Sequence, residues 1–227
     1  MGGVRAARQP VASGAWLAMW LLASVAAATC APGDLAAQDR VAVPEKAAVP
    51  DKAAAADRAP RRKPDVGYYP TTQDVVEKML ELAKTQASDH VCDLGCGDGR
   101  FVITAAKRYG CRATGFEIDP KLVTQGQAAI RDARLEKKAR IVEADIFTVD
   151  VSDVTVMMLF LLPDMNAKLV PQLQKMKAGS RILTHEFDIP GYVADRELVW
   201  VSGQDNSEHV IYIYTTPLQK APAASGK

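Results

Sequence analysis

The pattern of apolar and polar positions changes character near residue 65. Beyond that point two periods take turns. Residues 71–85, TTQDVVEKMLELAKT, carry apolar side chains at 75, 76, 79, 80 and 82, one face of a helix that Thr71 or Thr72 would cap. Residues 90–95 (HVCDLG) form a short apolar strand. Residues 98–110 (DGRFVITAAKRYG) return to helical spacing and close on a glycine. A strand over 113–118 (ATGFEI) precedes a helix over 119–135, with Asp119 as its cap and Pro120 at its first position. Strands over 139–145 (ARIVEAD) and 154–161 (VTVMMLFL) come next. Residues 163–176 then predict a helix that Pro171 kinks or divides. A strand over 180–187 (SRILTHEF) is followed by 197–203 and 209–216, which read as a final hairpin.

Strands without a polar face belong to a sheet covered on both sides. Strand and helix alternate, so right-handed crossovers build a doubly wound α/β domain. The expected fold is a mostly parallel, seven-stranded, Rossmann-like sheet with an antiparallel hairpin at its C-terminal edge. One domain over 65–217 suffices, with 218–227 as a disordered tail.

The chain before 65 has a different grammar. Arg5 and Arg8 precede a 17-residue apolar stretch over 15–31, AWLAMWLLASVAAATCA, and small residues follow it. A charged start, an apolar middle and small residues mark residues 1–37 as a signal peptide or an uncleaved membrane anchor. Residues 38–64 repeat a Val-Pro-acidic-Lys-Ala-Ala unit and contain no aromatic residue, the composition of a disordered linker. The reading places the protein in the cell envelope, exported or anchored; an initiation site downstream of residue 1 would leave it cytoplasmic.

The glycine loop carries the chemistry. VCDLGCGDGRF, residues 91–101, puts Gly95, Gly97 and Gly99 between the first strand and its helix. In such sheets ligands bind at the carboxyl ends of strands, and glycines let the backbone approach them closely. A tight turn alone would need one glycine. The spacing is G-x-G-x-G, with Arg100 where a dinucleotide fingerprint has its third glycine. Asp93 and Asp98 would repel a pyrophosphate and suit a cationic ligand. Glu117, twenty positions after Gly97, ends the second strand, where a carboxylate accepts hydrogen bonds from a ribose diol. Asp145 ends the third strand, placed to accept from an adenine amino group with Ile146 against the ring.

VCDLGCGDGR, GFEID and VEADIF, in this order and spacing, resemble the motifs of class I S-adenosylmethionine-dependent methyltransferases over roughly residues 65–217. The resemblance implies that Asp93, Gly95 and Gly97 line the methionine end of the cofactor, that Glu117 holds the ribose, and that Asp145 and Ile146 hold the adenine. The flanks VGYYPTTQDVVEKMLELA and LFLLPDMNAKLVPQLQKMKAGSRILTHEF are similar to small membrane-associated lysine methyltransferases of the ATP-synthase c-subunit type and their bacterial relatives. That likeness implies a place for Tyr69, Pro70 and Thr71 close to the cofactor.

Charge and cysteine content narrow the acceptor. The whole chain is nearly neutral at +1, but residues 64–227 hold 19 Lys/Arg against 22 Asp/Glu, which argues against a nucleic-acid partner. The four cysteines contain no CxxC pair, so no cysteine-based zinc site is expected and none of another kind is read from the sequence. Residues 160–164, FLLPD, lie at the carboxyl edge and would wall the substrate. The amide methyltransferases carry Asn/Asp-Pro-Pro-aromatic at that place, which this chain lacks. His185 and Glu186 end the fifth strand and would face the pocket; no catalytic base announces itself. The acceptor is then a protein lysine or a small-molecule amine, with membrane association through the N-terminal apolar segment. The competing reading is a non-catalytic exported binding protein that keeps the fold.

Overall fold

The computed structural model describes residues 63–222; the signal or anchor over 1–37 and nearly all of the linker lie outside the described residues. The elements are α1 (Gln73–Leu82), β1 (His90–Leu94), α2 (Arg100–Tyr109), β2 (Arg112–Glu117), α3 (Pro120–Asp132), β3 (Ala139–Glu143), β4 (Val156–Leu159), α4 (Pro163–Leu173), β5 (Arg181–His185), β6 (Arg196–Val201) and β7 (Glu208–Thr215). The seven strands form one sheet in the order β3-β2-β1-β4-β5-β7-β6. The first five run parallel, and β7 inserts antiparallel between β5 and its hairpin partner β6. The doubly wound sheet with a terminal hairpin is the expected one.

Alternation along each strand explains why the apolar runs are continuous. Val91, Val156, Met158, Leu183 and Ile211 point to one face, where they join residues of α1, α2 and α3. Cys92, Leu94, Met157, Leu159, Ile182 and Tyr214 point to the other and join α4. Both faces of the inner strands are covered, so apolar residues fill most positions on each.

Local signals set the ends of the helices. Asp119 caps α3 by accepting from the Lys121 N–H at 2.8 Å, and Gly110 ends α2 in the left-handed conformation. Thr72, not Thr71, is the N-cap of α1, and its side chain makes no capping hydrogen bond. Pro171 does not divide α4. It sits in the last turn, where little helix remains to be disturbed.

The domain continues past residue 217. Leu218 is 8% exposed, the Val193 N–H donates to the Gln219 carbonyl at 2.9 Å, and the Ala221 N–H donates to the Gly191 carbonyl at 2.9 Å. Residues 218–222 therefore pack as an end strap, and the disordered tail expected from 218 is not seen in them. The polar composition hid one apolar anchor, Leu218. Among the described residues no helix is long and apolar enough to cross a membrane.

Candidate active site

β1, β2 and β3 end side by side, and β4 ends next to β1 on its other flank. Their carboxyl ends and the loops that leave them enclose a cavity of about 450 Å³. Asp93, Gly95, Glu117, Asp145, Ile146 and Tyr69, the residues singled out in the sequence, all line it. Gly97 is not part of the lining. It sits at φ +54°, and a Cβ there would meet the Tyr68 ring at 2.4 Å. Its N–H donates to Glu117 Oε2 at 2.9 Å. Gly97 therefore positions the Glu117 carboxylate and seats Tyr68; its backbone does not front the cavity.

Glu117 is buried and held by backbone donors. Oε1 accepts from the N–H groups of Ile118 at 2.7 Å and Asp119 at 3.0 Å. A carboxylate offers about four acceptor positions. Three are used within the loop pair, so the side chain arrives pre-aimed with little capacity to spare. Asp145 is similarly tied: Oδ1 accepts from the Phe147 N–H at 3.0 Å, turning the chain out of β3. It serves the turn and the cavity wall together.

Asp93, at the end of β1, is 5% exposed. Burial, with Glu117 and Asp98 nearby, pushes its carboxyl up to about 8. Removal from water and neighbouring negative charge both oppose ionisation. Asp98 differs, because Arg100 donates to it at 2.7 Å and 3.0 Å and holds it below the usual carboxylate range despite partial burial.

Arg100 does more than replace a glycine. Its guanidinium also donates to the Thr71 carbonyl and to Tyr68 Oη, the latter at 3.3 Å. The segment before α1, from Pro64 to Thr71, is thereby folded back over the glycine loop and supplies one wall of the cavity. Sequence reasoning placed Tyr69 there but missed the part played by Arg100. The only available signal was an arginine two residues after an aspartate at a helix start.

The opposite wall is apolar. Phe160, Leu161 and Met165 line it, whereas Leu162, Pro163 and Asp164 of the expected substrate wall do not. Tyr69 is 79% exposed, and its ring meets Phe160 edge to face at 6.4 Å.

His185 and Glu186 do not reach the cavity. The His185 ring packs against Phe160 with centroids 4.2 Å apart, so Phe160 stands between it and the open space. Burial and His209 push His185 down to about 4, leaving a neutral ring.

These residues fit a cationic adenosine-bearing cofactor. The cavity presents six carboxyl groups, Asp65, Asp93, Asp98, Glu117, Asp119 and Asp145, against one guanidinium. Burial and Glu117 favour the protonated form of Asp93, and an arriving positive charge favours its ionisation. At Gly95, φ is +78° and a Cβ would stand 3.2 Å from Leu161 Cδ2, so a side chain would narrow the cradle.

Comparison with known proteins gives the same answer. Residues 93–196 match the model of the ANTKMT methyltransferase domain. The chain is 42% identical over 153 residues to a protein-lysine N-methyltransferase of Saccharolobus islandicus (strain REY15A), covering 66% of this chain and 94% of that protein. It is 30% identical over 135 residues to the Xenopus laevis lysine N-methyltransferase of the ATP-synthase c-subunit, covering 59% of each. Among solved structures, an RNA methyltransferase from Salinibacter ruber in complex with S-adenosyl-L-homocysteine aligns with a TM-score of 0.62 and 35% identity. It covers 70% of this chain and all of that one. The glycine loop, the Glu117 carboxylate aimed by it and this relatedness along nearly the whole Saccharolobus islandicus protein establish that the chain belongs to the class I S-adenosylmethionine-dependent protein-lysine N-methyltransferases.

Proposed function

We propose that this enzyme methylates the ε-amine of a lysine in a protein acceptor. The observation that carries the reading is the lining of the cavity, which combines the aromatic rings of Tyr68, Tyr69 and Phe160 with the carboxyl groups of Asp65, Asp98 and Asp119, Tyr68 and Tyr69 being exposed. Aromatic faces and carboxylates attract an alkylammonium group, and the aromatic surface accommodates its methylene stem. The same surface repels a phosphate backbone, and the net negative charge of residues 64–227 acts in the same direction.

When bound, S-adenosylmethionine supplies an electrophilic methyl group on a sulfonium centre. The protein's part is alignment and desolvation. The loop from Gly95 to Gly99 and the pinned Glu117 fix one side of the cavity. Phe160, Leu161, Ile146 and Met165 exclude water from the other. An amine entering that apolar wall is easier to deprotonate, since burial disfavours the ammonium form. No side chain is required to abstract the proton, and among the described residues none of that wall is a base.

Arg5, Arg8 and the apolar stretch over 15–31 support an envelope location, with the acceptor at or near a membrane. Cell fractionation with mass spectrometry of the native N-terminus tests that part separately.

The acceptor class is tested by incubating the full-length chain with methyl-labelled S-adenosylmethionine and membrane or RNA fractions. Label should enter protein, localise to methylated lysine on peptide mass analysis, and disappear when acceptor lysines are acetylated beforehand. Glu117→Ala should lower incorporation at least tenfold. Label confined to RNA would overturn the reading.

A further inference from the structure

The ends of β5 and β7 bring together three ligand-type atoms that play no part in methyl transfer. His185 Nε2 lies 2.9 Å from His209 Nδ1, His209 Nδ1 lies 2.9 Å from Glu186 Oε1, and His185 Nε2 lies 3.1 Å from the same oxygen. The three form a nearly equilateral triangle. Neutral imidazoles and a carboxylate cannot satisfy all three edges, because two neutral rings bring at most two protons into the triangle. If His209 carries its proton on Nε2, its Nδ1 lone pair faces the Glu186 oxygen. If it carries the proton on Nδ1, that hydrogen either serves two acceptors or faces a second N–H on His185 Nε2. A cation above the triangle would satisfy all three lone pairs at once. Ligand bonds of about 2.0–2.2 Å to a tetrahedral ion need donor separations only a few tenths of an ångström wider than those seen.

The outward nitrogens give an independent argument. A metal-bound histidine typically donates its other N–H to an oxygen that fixes the ring. His209 Nε2 is 3.1 Å from Asp205 Oδ2, and His185 Nδ1 is 3.3 Å from Thr71 Oγ1. Both rings thus already have the outer partner that inward coordination demands. Access exists as well: the Glu186 side chain is 31% exposed, whereas those of His185 and His209 are 2% and 11% exposed. Glu186 holds φ +64°, an uncommon conformation for a non-glycine residue, and this turns its side chain back toward the two rings.

We propose that His185 Nε2, His209 Nδ1 and Glu186 Oε1 form a binding site for a first-row divalent transition ion such as Zn²⁺. The donor set of two imidazoles and one carboxylate suits such an ion and leaves a position for water. The ion's role is positional. It ties the end of β5 to β7 and orients His185, whose Nδ1–H then donates to Thr71. Thr71 lines the cavity, so the site steadies the segment that walls the active site. The arrangement does not depend on which acceptor the enzyme methylates.

The test is Zn²⁺ titration of the chelator-treated full-length chain, with metal analysis after dialysis. Glu186→Gln, His209→Gln and Asp205→Asn are compared, with thermal melting to show that each folds. One Zn²⁺ per chain is expected, with affinity lowered at least a hundredfold by His209→Gln and about tenfold by Asp205→Asn. Zn²⁺ should raise the Tm of the parent chain but not of Glu186→Gln or His209→Gln. ¹⁵N NMR of the loaded protein should show His185 protonated at Nδ1 alone. No stoichiometric zinc, or zinc held equally well by all variants, would overturn the proposal. A metal-free protein in which His209 is a histidinium donating to Glu186 and Asp205 would overturn it as well.

Discussion

At the scale of the residue, Asp93 concentrates the electrostatics of the site. Its carboxyl sits near 8 in the folded chain against an ordinary value of 3.8. The folded state therefore binds more protons than the unfolded state between these values, and stability falls as pH rises from about 4 through about 8. Asp93→Asn should flatten that decline, read as a smaller loss of Tm between pH 5 and pH 8.5 (about one proton's worth). The same group couples ligand charge to protonation. S-adenosylmethionine binding near pH 7 should release close to one proton, whereas neutral-thioether S-adenosylhomocysteine should release little. Titration calorimetry in buffers of different ionisation enthalpy measures the difference, which Asp93→Asn should abolish. Asp93 was visible in the sequence as a candidate. Its altered acidity was not, because that follows from burial and from Glu117 arriving on a different strand.

At the scale of the element, the segment over 64–71 depends on α2 more than on itself. It has no regular secondary structure, and Arg100 at the start of α2 clamps it through Tyr68, Thr71 and Asp98. Arg100→Ala should weaken cofactor binding about tenfold or more, since up to four charge-assisted bonds are lost at once. Amide exchange in 64–71 should rise severalfold, while exchange in β1 and β4 stays slow. Equal acceleration throughout would show instead that Arg100 supports the whole fold. The strand-helix alternation and the glycine loop could be read from period and spacing alone. The fold-back of 64–71 could not, because a long-range clamp leaves no periodic trace. His185 shows the opposite failure: its place at a strand end was legible, but Phe160 takes the cavity position expected for it.

At the scale of the whole molecule, the sheet closes with its terminal strap. A chain ending at residue 217 loses the buried Leu218 and the hydrogen bonds joining Gln219 and Ala221 to the loop before β6. The loss should be about 2–3 kcal/mol, lowering Tm by roughly 5–10 °C. An unchanged Tm would mean that the strap contributes no more than a loose tail.

What the sequence determined by itself is whatever depends on neighbours along the chain. The apolar periods specify the elements, the three glycines specify the loop, and Glu117 falls at the end of β2, whereas Asp145, expected to end the third strand, lies in the turn two residues past β3. Tertiary structure decided what depends on strand order. Pairing of β5 with β7 places His185 opposite Ile211 and so carries His209 to its side. The adjacency of β1 and β2 lets Gly97 aim Glu117 and lets Glu117 raise Asp93. Such meetings arise from the register of distant segments, and local spacing holds no record of which strands will become neighbours.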